Sequence, residues 1–224
     1  MVWRSGLRPY INRSHAGQVL ARELRNLRDG NLVILGLPRG GVPVAYEVAK
    51  VLGAPLDVLV VRKLRVPGQE ELAMGAVASG NVRVLNEEII ETLNIAPEAV
   101  KQAARRQLDE VRRQERRYRG GLPPQKITGR IAVLVDDGLA TGATMRAAIA
   151  ATRIHKPARV VVAVPVAPPD TVEMLARDAD EVVCPATPEP FDSVGRWYHD
   201  FAQVTDNEIR QLLAKAPPKD ATAA

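Results

Sequence analysis

An α/β fold, in which a parallel β-sheet is flanked by helices, is what this 224-residue sequence predicts. Three observations point to it. The runs "NLVILGLP", "LDVLVVRKL", "IAVLVDD", "RVVVAVPVA" and "EVVC" are continuously apolar rather than alternating, as strands covered on both faces are. Segments of helical periodicity separate most of them. Glycines and prolines punctuate the junctions between the two kinds of segment.

Taken in order, Ser14 is the expected N-cap of a first helix. Its apolar positions Ala16, Val19, Leu20, Leu24 and Leu27 fall at helical spacing, and Asp29-Gly30 ends it. The first strand leads into the turn "PRGGVP" and then a short helix, "VAYEVAKVLG", stopped by Gly53. After the second strand, "RVPGQEELAMGAVASGNVRVLN" begins as a polar loop. It ends as two short strands around Ser79-Gly80-Asn81, a hairpin signal. From Pro97 to Arg119 a long charged helix carries one thin apolar stripe of Val100, Ala104, Leu108 and Val111. The third strand precedes the helix "ATMRAAIAATRIH", the fourth precedes "PDTVEMLARDA", and a last helix follows the fifth. These elements read as one domain over 1–216, with its core at about 31–166 and a disordered tail at 217–224.

Hydrophobic residues make up 46% and charged residues 25% of the chain, which excludes a largely disordered protein. Aromatic content is 4%, too sparse for a single-strand nucleic-acid binder built on base stacking. The net charge of +5 suits phosphate-bearing ligands. The single cysteine, Cys184, excludes an intrachain disulfide and reads as a small buried hydrophobe; a reducing, cytoplasmic setting follows. His15, His155 and His199 show no metal-ligand spacing. No apolar run approaches transmembrane length, and the opening residues lack the apolar core of a signal peptide.

The chemistry concentrates in "VLVDDGLATGAT". Asp136 and Asp137 close the third strand, where two adjacent carboxylates repel each other. Behind them, Gly138 and Gly142 permit a tight turn whose N–H groups point inward. Thr141 and Thr144 add hydroxyls ahead of a helix N-terminus, a ready anion site. An anion cradle beside two acids suits a ligand with phosphate at one end and hydroxyls or a metal at the other, such as a phosphorylated sugar. The segment has neither the Walker A pattern nor the dinucleotide fingerprint. In parallel sheets ligands sit at the carboxyl ends of the strands. This rule brings Pro38 to Gly41, Arg62 to Arg65 and Asp136 to Thr144 to one rim.

With its strand-loop-helix context, "VLVDDGLATGAT" resembles the PRPP-binding motif of the type I phosphoribosyltransferases. Beside it, "PRGG", "VRK" and "ELAMGAV" resemble bacterial phosphoribosyltransferase-like proteins of unsettled substrate. The resemblance covers roughly residues 31–166. It implies that Asp136 and Asp137 contact the ribose hydroxyls and hold Mg²⁺, directly or through water. The loop Ala140, Thr141, Gly142, Ala143 and Thr144 would take the 5′-phosphate. Pyrophosphate would lie on Arg39, Gly40 and Gly41, with Arg62 and Lys63 reaching it. A mobile loop between Val66 and Ala78, with Pro67, Gly68, Gln69, Glu70 and Glu71 at its tip, would close over the reaction. The implied reaction is Mg²⁺-dependent transfer of phosphoribose from PRPP to a nitrogenous base, by a homodimer. The position where hypoxanthine-guanine enzymes carry an aspartate is Ala140, which points away from those bases and leaves adenine open.

A base would bind under a hood from residues 187–201, where Phe191, Trp197, Tyr198 and Phe201 cluster, or under one from the N-terminal helix. The same aromatics would also serve to pack the last helix on the sheet. The arginines of the long helix suggest an alternative, a PRPP-sensing regulator that binds RNA or DNA. More often such a run is a solvated face laced with i,i+4 pairs; the mobile-loop candidate and "VRK" favour the enzyme, and no helix-turn-helix pattern supports the regulator.

Overall fold

A computed structural model describes residues 10–28 and 30–217, the Glu70 side chain excepted. Asp29 and residues 218–224 of the tail expected at 217–224 lie outside them; the first helix ends at Glu23, short of the expected Asp29-Gly30, and a 3-10 turn at Arg25–Leu27 follows it.

Among the described residues, β1 (Leu32–Gly36), β2 (Leu56–Val58), β6 (Ile131–Val135), β7 (Arg159–Ala163) and β8 (Glu181–Val183) form a parallel sheet in the order β2-β1-β6-β7-β8. The predicted fold class is the observed one. Side chains alternate between faces along each strand. Ile34, Val133 and Val161 therefore meet α1 (Arg13–Glu23) and α2 (Gly41–Leu52) through Leu20, Leu24, Val44 and Val48. Val33, Leu134 and Val162 face the other way, onto Met145, Ala148 and Ile149 of α5 (Ala143–Ile154) and Leu175 of α6 (Pro169–Leu175). Burial on both faces is why these strands read as unbroken apolar runs.

The second expected strand divides in two. After β2 the chain leaves the parallel sheet at Leu59 and Val60. It continues as β3 (Val61–Val66) in an antiparallel sheet with β4 (Gln69–Ala78) and β5 (Val82–Leu85). Ser79 pins the exit: its N–H donates to the Val60 carbonyl and its Oγ accepts from the Val60 N–H, both at 2.9 Å. The segment expected to begin as a polar loop is thus a hairpin with Pro67-Gly68 at its tip, and Gln69 and Glu71 belong to β4. The turn at Ser79–Asn81 stands as expected between β4 and β5.

The long helix, α4 (Pro97–Arg119), has the predicted limits: proline in its first turn, and Gly120 at φ 59° ending it in the left-handed conformation that glycine favours. Val100, Ala104 and Val111 are buried against Leu64, Met74 and Val77, so α4 covers the small sheet. A short helix, α3 (Glu87–Thr92), capped by Asn86, was not foreseen. The first helix is capped by Asn12, not Ser14. The Asn12 Oδ1 accepts from the His15 N–H at 2.9 Å, while the Ser14 hydroxyl donates to Glu47. Cys184 lies one residue past β8, half-buried, its Sγ 3.2 Å from the Ala186 carbonyl; burial pushes the thiol up to about 12. The last helix is α7 (Asp206–Lys215). Among the described residues no helix is long and apolar enough to cross a membrane.

Candidate active site

The parallel register pairs Gly36 of β1 with Val135 of β6, so the loops leaving these strands run side by side. The Leu37 N–H donates to the Val135 carbonyl at 2.8 Å. The first loop contains a cis peptide bond between Pro38 and Arg39. Its glycines lie against the second loop. A Cβ on Gly41 would stand 2.5 Å from the Val135 carbonyl oxygen and 2.8 Å from the Asp136 Cα, and one on Gly40 would stand 1.9 Å from Asp137 Oδ2. The close approach expected of a ligand at these glycines is made first by the acidic loop.

Asp136 Oδ1 accepts the Asp137 N–H at 2.8 Å. Burial and then the neighbouring Asp137 charge hold the Asp136 carboxyl well above its ordinary range. Burial raises Asp137 too, against the opposing pull of Arg13, whose Nε donates to Asp137 Oδ2 at 2.7 Å. This ion pair is nearly enclosed, the two side chains being 12% and 13% exposed. The guanidinium also donates to the Ala202 carbonyl at 2.7 Å and lies 3.9 Å from the Phe201 ring centroid. Arg13 was not foreseen as a site residue, because nothing in the sequence connects positions 124 apart.

The Asp136 environment makes a stability prediction. The folded protein holds the Asp136 proton more tightly than the unfolded chain, where the group has its ordinary value near 3.8. Stability is therefore lost as pH rises from that value through the higher folded one. Asp136→Asn keeps an oxygen for the Asp137 N–H and carries no charge. It should unfold at a higher temperature than wild type at neutral pH, by about 2–4 °C for each kcal/mol relieved. The difference should close below about pH 4. Thermal unfolding of both proteins across that range checks this.

Beyond the acids, Gly142 (φ 68°) caps α5, and a Cβ there would also meet Thr171 and Met174 at 2.9 Å. The Thr171 hydroxyl fixes the loop by donating to the Ala140 carbonyl at 2.6 Å. Thr141 and Thr144 are exposed, and their hydroxyls bond to no other described residue, so both are open to an anion. Thr144 shares a cleft of about 720 Å³ with Arg62, Lys63, Arg65, Arg106 and Gln107. Thr144 of this loop and the expected pair Arg62 and Lys63 thus line one cleft.

Other expected residues have different surroundings. Arg39, half-exposed, turns its Nε to within 3.4 Å of Asp206 at the start of α7. Tyr198 is 1% exposed and offers no ring face to a base. Its ring lies between those of Tyr10 and Phe201, at 5.4 and 5.0 Å, and its hydroxyl donates to the Asp137 carbonyl at 2.5 Å. Phe191 and Trp197 pack around Tyr10, Val166 and Ala186. The aromatic cluster is therefore a small core that braces the acidic loop. Among the described residues no group of three or more His, Cys, Asp or Glu side chains is placed to hold a metal ion.

The chain belongs to the phosphoribosyl transferase domain family, whose model matches residues 12–196. Two Mycobacterium tuberculosis proteins, from strains CDC 1551 / Oshkosh and ATCC 25618 / H37Rv and provisionally named phosphoribosyl transferases, are each 50% identical to it over 207 residues. These matches cover 92% of this chain and 47% of each relative, so the chain spans about half the length of those proteins. The crystal structure of TT1426 from Thermus thermophilus is similar along 93% of this chain and 99% of its own, with 45% identity and a TM-score of 0.84.

Proposed function

We propose that the chain transfers the 5-phosphoribosyl group of PRPP to a nitrogenous base or related acceptor, releasing pyrophosphate. The observation that carries this reading is the register of β1 and β6, which sets the Leu37–Gly41 turn against Asp136 and Asp137 beside an open anion loop. The 5′-phosphate would take the N–H groups and hydroxyls of residues 140–144. The carboxylates of Asp136 and Asp137 would accept the ribose hydroxyls. As the C1–O bond to the diphosphate breaks and the acceptor nitrogen bonds to C1, these negative charges favour the positive charge on the sugar. The acceptor nitrogen gives up its proton to the departing diphosphate, which leaves toward Arg62 and Lys63. The β3–β4 hairpin, tipped by Pro67 and Gly68, would close to exclude water from the sugar cation.

Two adjacent carboxylates without a third ligand group suit Mg²⁺, which keeps several waters and takes its remaining oxygens from substrate phosphates. When bound, it would neutralise charge on the leaving diphosphate.

On α4, Arg112 pairs with Asp109 and Lys101 with Glu98, each three residues apart. This supports a solvated charged face over a nucleic-acid surface. The test of the transferase reading is a screen of bases for PRPP-dependent pyrophosphate release. Activity should appear with one class of base and disappear in the Asp136→Asn/Asp137→Asn double variant; undiminished turnover in that variant would sink the site assignment.

A further inference from the structure

The arginine-rich helix α4 is unexplained by the transferase reading, yet it forms one wall of the cleft that holds Thr144. Among the described residues that cleft is lined by four cations, Arg62, Lys63, Arg65 and Arg106, and by no carboxylate, while Arg62, Arg106 and Gln107 also line a neighbouring cleft with Asp109 and Glu110. Two features of α4 single out adjacent residues. Gln107 Oε1 accepts a hydrogen bond from Arg62 Nε at 2.6 Å, which fixes the plane of that guanidinium. Arg106 is exposed and, among the described residues, forms no ion pair or hydrogen bond. The carboxylates that helical spacing offers it, Asp109 and Glu110, are taken by Arg112 and Arg113.

We propose that α4 completes the diphosphate subsite: Arg106 binds phosphate oxygens directly, and Gln107 is a positioning residue that aims Arg62 at them. The inference rests on the transferase reading and deepens it. The ligand class follows from the lining. Arg62, Lys63 and Arg106 form no ion pair among the described residues, and three such cations in one cleft suit an anion of more than one phosphate, because planar guanidiniums make paired bonds to phosphate oxygens. The α5 N-terminus with its open Thr144 lies at the same cleft, so one molecule with a phosphate at one end and a diphosphate at the other would engage both parts. The helix thereby gains a role that explains why its charges are not all paired along its own length.

The test separates the two ends of the donor. Inorganic pyrophosphate with Mg²⁺ and, separately, ribose 5-phosphate are titrated calorimetrically into wild type, Arg106→Gln, Arg106→Lys, Gln107→Ala, Arg62→Ala and the Arg62→Ala/Gln107→Ala double variant. Arg106→Gln should weaken pyrophosphate about tenfold or more, with Arg106→Lys recovering part of the loss, and should leave ribose 5-phosphate within about twofold. Gln107→Ala should weaken pyrophosphate on the order of three- to tenfold, and should add nothing once Arg62 is alanine, as an indirect role requires. If wild type binds both compounds and Arg106→Gln binds pyrophosphate equally well, the assignment of α4 falls and the transferase reading survives. If wild type binds neither compound, both fall together.

Discussion

Replacing Arg119 with leucine is expected to destabilise the protein by about 3 kcal/mol, lowering its unfolding temperature by about 6–12 °C. Arg119, at the last turn of α4, is 9% exposed on its side chain and donates to Asp57 Oδ1 at 2.8 Å, Glu115 Oε1 at 2.6 Å and the Val58 carbonyl at 3.0 Å. It ties α4 to β2 and so holds the small sheet against the large one. Removing one partner of a buried ion pair typically costs about 3–5 kcal/mol, because the other charge stays buried without compensation. The lower end applies because Asp57 keeps two backbone partners, the Val58 and Gln125 N–H groups at 2.7 and 2.8 Å. Asp57→Asn should restore part of the loss in the Arg119→Leu background, since one of the two carboxylates left without a partner, Asp57 and Glu115, is then neutral. Denaturant unfolding of the single and double variants measures both effects. An Arg119→Leu protein within about 0.5 kcal/mol of wild type would show that α4 is held by its apolar stripe alone.

The second large effect belongs to the paired glycines, and it should separate into two kinds. Gly41→Ala drives a methyl into backbone, at 2.5 Å from the Val135 carbonyl oxygen, and neither β6 nor α2 moves freely. Overpacking of that sort costs about 1–3 kcal/mol. The acidic loop would shift with the strand end, so PRPP binding should be lost as well. Gly40→Ala meets only the far end of a side chain, the Asp137 carboxylate at 1.9 Å. That carboxylate can swing aside, at the expense of its ion pair with Arg13. Gly40→Ala should therefore lose stability only through that loosened ion pair, without the backbone strain of Gly41→Ala, while PRPP binding weakens about tenfold or more. Unfolding and calorimetry on the two variants together would show the split. Equal stability losses would mean that Asp137 cannot be displaced by itself.

Much of this was legible in the sequence because it is local. The continuous apolar runs of β1, β6 and β7 announce burial on both faces. The loop from Asp136 to Thr144 carries its acids, glycines and hydroxyls within nine consecutive positions. Pro97 and Gly120 bracket α4 by backbone chemistry alone. What escaped is decided by contacts distant in the chain. The run "LDVLVVRKL" is uniformly strand-like, and only its pairing, with β1 up to Val58 and with β4 from Val61, divides it. Arg13 and Asp137 meet because α1 packs on α2, and Gln107 reaches Arg62 because α4 covers β3; no spacing rule links either pair. The hood aromatics were read for what they offer a ligand, whereas Tyr198 is used up in holding the loop that carries the acids. Asn12 outcompeted Ser14 as cap by one turn's geometry, a choice that neighbouring polar residues leave open in sequence alone.

The central claim is that Asp136 and Asp137, with the loop behind them, form a phosphoribosyl diphosphate site. Calorimetric titration of PRPP with Mg²⁺ into wild type and into the Asp136→Asn/Asp137→Asn variant tests it most directly. Saturable binding is expected at one site per chain, and the variant, folded by its thermal transition, should lose it by about a hundredfold or more. Wild-type protein that takes up no heat from PRPP at any accessible concentration, or a variant that binds it as tightly as wild type, would contradict the claim.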